Sequence, residues 1–394
     1  VFSSPNGSIG SYYWATDSLD PESNSVIRYD NWFWKKIVIN GDSVSVWVYA
    51  HGDTASGNAD YIFITPNVSN PLASLFFLAG TDDDSSAVHI DEIHYNSVPP
   101  YSGPVWYVST TGSNNNDGSQ ANTFATIQAG INAAIDGDTV LVAAGTYVEN
   151  INCSKSITIA GSGIDSTFVD GGGNNRVFDF SIGGTSLIIE DLTVQNGVGE
   201  QIGGGFKIET TDANQTKIIV NRCHFLNNQT VYLGGGLGDI KGGGAIYIHS
   251  FNSIDTLEIN DCIFTNNYSV AESDDYTAIG FGGAINSFTG VHLAINNSTF
   301  FGNIAGSQYN SIYMTMGESI TVSNSILYDE TPVLNGEGSI QVSFSNINGG
   351  WEGEGNIDMD PLFCEPDSGD YTLAENSPCV GTGEDGVNMG AFGV

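Results

Sequence analysis

The side chains most able to do chemistry lie in the glycine-rich middle of the chain. Lys207, Tyr247 and Asn286 occupy one position of a repeated segment, and Glu209 and His249 occupy the position two residues further on. If Phe206 and Ile208 point inward, as Ile246 and Ile248 do in the next repeat, strand alternation sends these polar residues outward in two columns. Two chemistries fit such a face. A lysine beside a carboxylate can take the proton next to a sugar carboxylate held on Ca²⁺, which makes Lys207, Tyr247 and His249 the catalytic candidates. Tyr, His and Asn with Lys207 and Glu209 can instead hydrogen-bond and stack on a sugar. A solvated polar face is the alternative to both. Trp32 and Trp34 share one face of a strand and could also stack on a glycan or enter a core. Asp82, Asp83, Asp84 and Asp91, and separately Asp358 and Asp360 near Glu352 and Glu354, have oxygen-ligand chemistry suited to Ca²⁺, without an EF-hand loop; a solvated acidic loop is the other reading.

Other catalytic patterns are missing. Asp274-Asp275 is a carboxylate pair, but the sequence contains no Gly-His-Gly beside it, and no nucleophile-elbow sequence marks an esterase. Bases are scarce: the chain has nine Lys and Arg against 45 Asp and Glu, a formal charge of −36. That balance excludes a nucleic-acid binder and a basic lipid-docking patch. It favours neutral ligands over polyuronates unless cations bridge them. No apolar run approaches the roughly 20 residues of a membrane span, and the opening VFSSPNGSIG lacks signal-peptide character, so Val1 reads as a processed or truncated start. Five cysteines lack zinc spacing. Cys223 and Cys262 read as stacked buried thiols, Cys153 as core, and Cys364 with Cys379 as a candidate bridge across an irregular loop. Asn67, Asn228, Asn267 and Asn297 open N-x-S/T sequons and are surface glycan candidates.

The elements that must position these groups follow from repeats. Ile189–Asn196, Val220–Asn227, Ile259–Asn266, Ile295–Gly302 and Val322–Asp329 share one pattern: aliphatic, two polar, small or apolar, any, apolar, any, usually Asn. Gly203-Gly204-Gly205-Phe206, Gly243-Gly244-Ala245-Ile246 and Gly282-Gly283-Ala284-Ile285 interleave with it. A period of about 20–40 residues built from short strands is the signature of a solenoid. Apolar residues at 124, 127, 131 and 135 predict a helix over 124–135, with Thr123 as N-cap and Gly137 as stop. Before a Pro-rich linker at 99–104, residues 1–98 alternate like a small antiparallel β-sandwich, with Asn40-Gly41-Asp42 as a hairpin turn.

The segment YVSTTGSNNNDGS, FATIQAGINAA and GDTVLVAAGTYVENI resembles the opening of right-handed parallel β-helix proteins of the pectate-lyase superfamily, in which the helix covers the N-terminal end of the coil. The GGAI and F-x-x-N repeats resemble those of chlamydial polymorphic membrane proteins and related adhesins. The hairpin WFWKKIVINGD with the closing HIDEIHYN resembles a concanavalin A-like (laminin G-type) jelly roll. These resemblances imply an all-β chain: a right-handed parallel β-helix over 105–394 with a small N-terminal antiparallel β-sandwich. They also imply an extracellular or bacterial cell-surface setting. Lyases, hydrolases and adhesins all use this architecture. The leading expectation is a non-catalytic structural or adhesive protein that self-associates, as a filament or array, or binds surface glycans. A Ca²⁺-assisted polysaccharide lyase or a glycoside hydrolase is the alternative, and a carbohydrate-binding protein the third. Residues near 385–394, or the opening segment VFSSPNGSIG, are expected in an intersubunit contact; the alternative is that the tail folds back on its own coil.

Overall fold

In the computed structural model the described residues are 101–391 without 184–185, 212–214, 233–240, 252–253, 272–279, 307–308 and 331–332, together with the backbone of five strands before residue 66. The chain divides into two compact units at Ser102/Gly103. In the first, Phe33–Asn40, Ser43–Ala50 and Ile62–Thr65 form an antiparallel meander, with Asn40 opposite Ser43. Tyr13–Trp14 and Ser25–Val26 pair in parallel. Trp34 stands opposite Tyr49; Trp32, Asp82, Asp83, Asp84, Asp91 and Asn67 lie outside the described residues.

The second unit is a parallel β-helix. Nine parallel strands, from Val105–Val108 to Ser339–Ser343, stack in one sheet. Seven more, from Ile151–Cys153 to Leu334–Gly336, stack in a second sheet. Val198–Glu200, Gln229–Tyr232, Tyr268–Ala271 and Ile304–Ala305 form a third, shorter one. The eight-residue repeat explains the coil. Its first residue (Val220, Ile259, Ile295) and its sixth (Phe225, Phe264, Phe300) are buried. The sixth position builds an aromatic stack of nearly parallel rings, with Phe225 to Phe264 at 4.7 Å and Phe264 to Phe300 at 4.5 Å. The third position bends the chain through left-handed backbone at Asp191, Arg222, Asp261, Asn297 and Asn324, and the eighth does so at Asn196, Asn227 and Asn266. Asparagine recurs there because it tolerates positive φ at low cost.

Two side-chain ladders run along the coil axis. At the fourth position the backbone N–H of Cys223 meets Cys262 Sγ, that of Cys262 meets Ser298 Oγ, and that of Ser298 meets Ser325 Oγ. The expected column of small buried residues, thiols included, is therefore the acceptor for each preceding coil. A second ladder, Asn228–Asn267–Asn303–Asp329, does the same at the next corner. Each Oδ1 accepts a backbone N–H from the coil before, at 2.8–3.1 Å. The asparagine Nδ2 groups donate to Val194, Phe225 and Phe264 carbonyls. Asn228 and Asn267 are fully buried, so these two sequons are not the surface acceptors the sequence pointed to; Asn297 is half-buried.

The helix is shorter than its apolar spacing predicts. It spans Ile127–Ala133, and Thr126 is the N-cap, its Oγ1 accepting Ala129 N–H at 3.2 Å. Phe124 cannot join it, because its N–H and C=O pair with Tyr107 and Ser109 as an added strand. Opposite charges clamp the helix dipole. Glu149 accepts the N–H groups of Ile127 and Gln128, and Lys155 Nζ donates to the carbonyls of Ile131, Asn132 and Ala134 at 2.6–3.0 Å.

The C-terminal segment folds back on its own coil. Hairpin strands Phe363–Glu365 and Asp370–Leu373 set Phe363 and Tyr371 against the outward ring of Phe301. Met389, Leu373 and Cys379 pack on Ile326. Gly390 N–H reaches Asn324 O at 2.7 Å, and Ala391 N–H reaches Thr299 Oγ1 at 3.0 Å. Of the two expectations for the tail, residues up to 391 follow the intrachain one, because Met389 finds its apolar partners within the chain. All five cysteines are free thiols; Cys364 is exposed, whereas Cys379 is buried with Asn346 Nδ2 on its sulfur at 3.2 Å, so the expected bridge is not formed.

Candidate functional site

The outward face of the second sheet carries the residues singled out above. Its strands Phe178–Ile182, Phe206–Thr210, Ile246–Ser250, Ile285–Phe288 and Ile312–Thr315 pair in register. Phe178, Phe206, Ile246, Ile285 and Ile312 are buried inward, which turns their successors out. One outward column is Asp179, Lys207, Tyr247, Asn286 and Tyr313, and the next is Ser181, Glu209, His249, Phe288 and Thr315. The glycine runs set the entry to each strand. Gly243 and Gly282 have positive φ, and a Cβ there would lie about 2 Å from the carbonyl oxygens of Ile246 and Ile285. A larger residue would displace the Tyr247 and Asn286 backbone.

The lower end of this face is ionic. Lys207 Nζ lies 2.8 Å from Glu209 Oε2 and 3.6 Å from Asp179 Oδ1, and Arg176 approaches Asp179 at 3.6 Å. Burial lowers the Arg176 pKa, opposed by the charges of Asp179, Glu209 and Glu200. The upper end is aromatic. His249 packs on Phe251 at 3.8 Å and edge-on to Phe288 at 4.7 Å. Tyr313 stacks between Phe281 at 4.4 Å and Tyr309 at 5.4 Å. Burial lowers the His249 pKa while Glu209 pulls it back up; burial and Glu209 together push the Tyr247 phenol upward. Tyr247 thus stays a neutral phenol at physiological pH.

A lysine working as a base beside a Ca²⁺-bound sugar carboxylate needs free carboxylates to hold the cation. Here Asp179 and Glu209 are both bound to Lys207. No group of three or more His, Cys, Asp or Glu among the described residues is arranged for a metal. The donor set does not fit Ca²⁺. Asp358 and Asp360 each accept one backbone N–H, from Gly349 and Leu362. Three other basic residues have structural work: Lys155 caps the helix, Lys217 pairs with Glu258, and Arg222 is bidentate on Asp191.

Lys207, Glu209, Tyr247, His249 and Asn286 therefore share one face, while Trp34 belongs to the separate N-terminal unit. Sequence reasoning missed Asp179, Phe251, Phe281, Phe288, Tyr309, Tyr313 and Thr315. Tyr313 was within reach: Ser311-Ile312-Tyr313-Met314 continues the Ala-Ile-Tyr-Ile and Ala-Ile-Asn-Ser series, but its strand lacks the glycine run that made the others visible. Phe281 and Phe251 lie beyond the repeat and carry no sequence signal.

These stacked parallel sheets make the second unit, Gly103–Val394, a parallel β-helix. No family profile and no curated protein matches it. Among solved structures it is similar to a rhamnogalacturonan lyase, at 16% identity and a TM-score of 0.29, over 62% of this chain and 68% of that one. It is also similar to a pectate lyase, at 14% identity and a TM-score of 0.28, over 73% of this chain and 96% of that one. At these values the fold rests on the strand registers alone. No helix among the described residues is long and apolar enough to cross a membrane.

Proposed function

We propose that this protein is an extracellular, non-catalytic adhesive β-helix that holds a neutral glycan on the outward face of its second sheet. The observation that carries the reading is the pair of aromatic groups on that face, Phe281–Tyr313–Tyr309 and Phe251–His249–Phe288. Rings grouped beside polar side chains suit the mixed apolar and polar faces of a sugar. The formal charge of −36 disfavours an anionic chain. Affinity electrophoresis in gels carrying neutral polysaccharides tests it: retardation is expected, and Tyr313→Ala should weaken it about five- to ten-fold, the worth of one ring contact. Equal mobility with and without every neutral polysaccharide would refute it. A lyase is the second reading, and the same face tests it through Lys207, which is ion-paired to Glu209 and Asp179. Unsaturated products absorbing at 235 nm, lost in Lys207→Ala, would establish that second reading.

A further inference from the structure

The last turn of the coil leaves a strand edge open. Ser339–Ser343 ends the first sheet and Leu334–Gly336 ends the second. Successive residues of a parallel strand turn their backbone groups to opposite sides. Ser339 N–H bonds to Glu318 O in the coil below, and Glu337 N–H bonds to Met314 O, so Ile340 and Gly336 turn N–H and C=O to the far side. There they meet no partner among the described residues. Past Ile340 the chain supplies its own cover: Asn356 Nδ2 donates to Val342 O, and Phe344 N–H to Glu354 O. Before it, Glu337, Gly338 and Ser339 are exposed and Gly336 is half-buried, so this edge can be reached from solvent.

A second observation shows what the edge lacks. Leu187, Ile218, Leu257, Leu293, Ile320 and Ile340 form one inward column. The first five are at most 1% exposed, each covered by the next coil. Ile340, at the top, is half-buried. A strand laid on the edge would set an aliphatic side chain over it. The surroundings fix the charge of that strand. Glu318, Glu337, Glu352 and Glu354 are exposed around the edge, and no Lys or Arg follows Lys241 in the sequence. Lys and Pro commonly blunt free edges; residues 335–342 contain neither.

We infer that residues 336–341 are an interaction surface for an extended, basic segment of a partner protein, in which aliphatic residues alternate with Lys or Arg. The partner's backbone pairs with Ile340 and Gly336, its aliphatic side chain completes the column above Ile340, and its bases face the glutamates. The glutamates alone would not define a site; the open edge and the uncovered isoleucine do. A second copy of this chain is the poorer occupant, because two such acidic ends repel. The inference is independent of the glycan reading, which concerns the outward face of the second sheet.

The test is calorimetry of the full chain with an acetylated, amidated heptapeptide of alternating Lys and Val. Binding is expected, weakening as salt is raised. The same peptide N-methylated throughout keeps its charges and side chains but has no backbone donors, and should bind about ten-fold more weakly. An alternating Glu and Val peptide should not bind. Ile340→Pro should weaken binding about ten-fold and keep the coil, because the N–H it removes bonds nothing within the chain. Should that variant not fold, Glu337→Lys, an exposed change, should weaken binding with the melting temperature held. No binding of the Lys/Val peptide by the wild type, equal binding of its N-methylated form, or undiminished binding by whichever variant folds would overturn the inference. So would a dimer in light scattering that the peptide does not dissociate, which would place a second copy on this edge.

Discussion

Asp329 closes the asparagine ladder, and its replacement by an asparagine gives a sharp test of the electrostatics. Its carboxylate is fully buried and accepts from Asn303 N–H at 2.8 Å, from Asn303 Nδ2 at 3.1–3.2 Å and from Ser311 Oγ at 2.5 Å. No cation is paired with it among the described residues, so burial outweighs these bonds and raises its pKa from 3.8 to about 6. Because the folded value is the higher one, the folded state favours the protonated acid. The contribution is fully present below about pH 4 and is lost as pH rises through about 6. A rise of about two units corresponds to about 3 kcal/mol of stability lost by neutral pH. The amide introduced by Asp329→Asn would keep an oxygen for Asn303 and turn its Nδ2 to the Ser311 hydroxyl, with no charge to bury. The variant should then be more stable than the wild type at pH 7.5 by about 1–3 kcal/mol, or roughly 2–8 °C in melting temperature. The gain should shrink at pH 4. Differential scanning calorimetry on both proteins at the two pH values isolates this group, because all other carboxylates are common to them. A lower melting temperature for the variant at pH 7.5 would refute the reasoning, since it would mean that the ionised carboxylate is the species the ladder prefers.

Three further outcomes are expected. Lys155→Met should cost about 1–3 kcal/mol in urea denaturation, because three helix-end carbonyls lose their donor; an unchanged midpoint would show that the clamp is idle. Asn267→Ala should cost at least as much, since it strips partners from the Asn228 N–H and the Phe225 carbonyl inside the coil, and near-neutral behaviour would contradict the ladder. Ellman's reagent on the native protein should modify one thiol rapidly, the exposed Cys364, and reach the buried four only after denaturation; fast reaction of a second thiol would contradict their burial.

The coil is legible in the residue pattern. Alternating aliphatic positions, a recurring small residue and a recurring Asn can satisfy burial and turn geometry together only if each repeat stacks on the last, so Ile259 above Val220 and Cys262 above Cys223 followed from spacing. The glycine runs likewise located the strands that hold Lys207, Tyr247 and Asn286, because only glycine passes through those turns. Boundaries set by competition were not legible: Phe124 has helical spacing, yet strand pairing with Tyr107 and Ser109 claims its backbone first. Nor was the fate of individual polar groups. That Lys207 is held between two carboxylates, that Asn228 and Asn267 are internal rather than surface residues, and that Met389 returns to Ile326 depend on neighbours far away in the chain. A repeat pattern fixes which residues share a column, because that is set by strand register. Whether a column is solvated, ion-paired or covered is decided by segments outside the repeat, and those segments reach it only when the whole chain is folded.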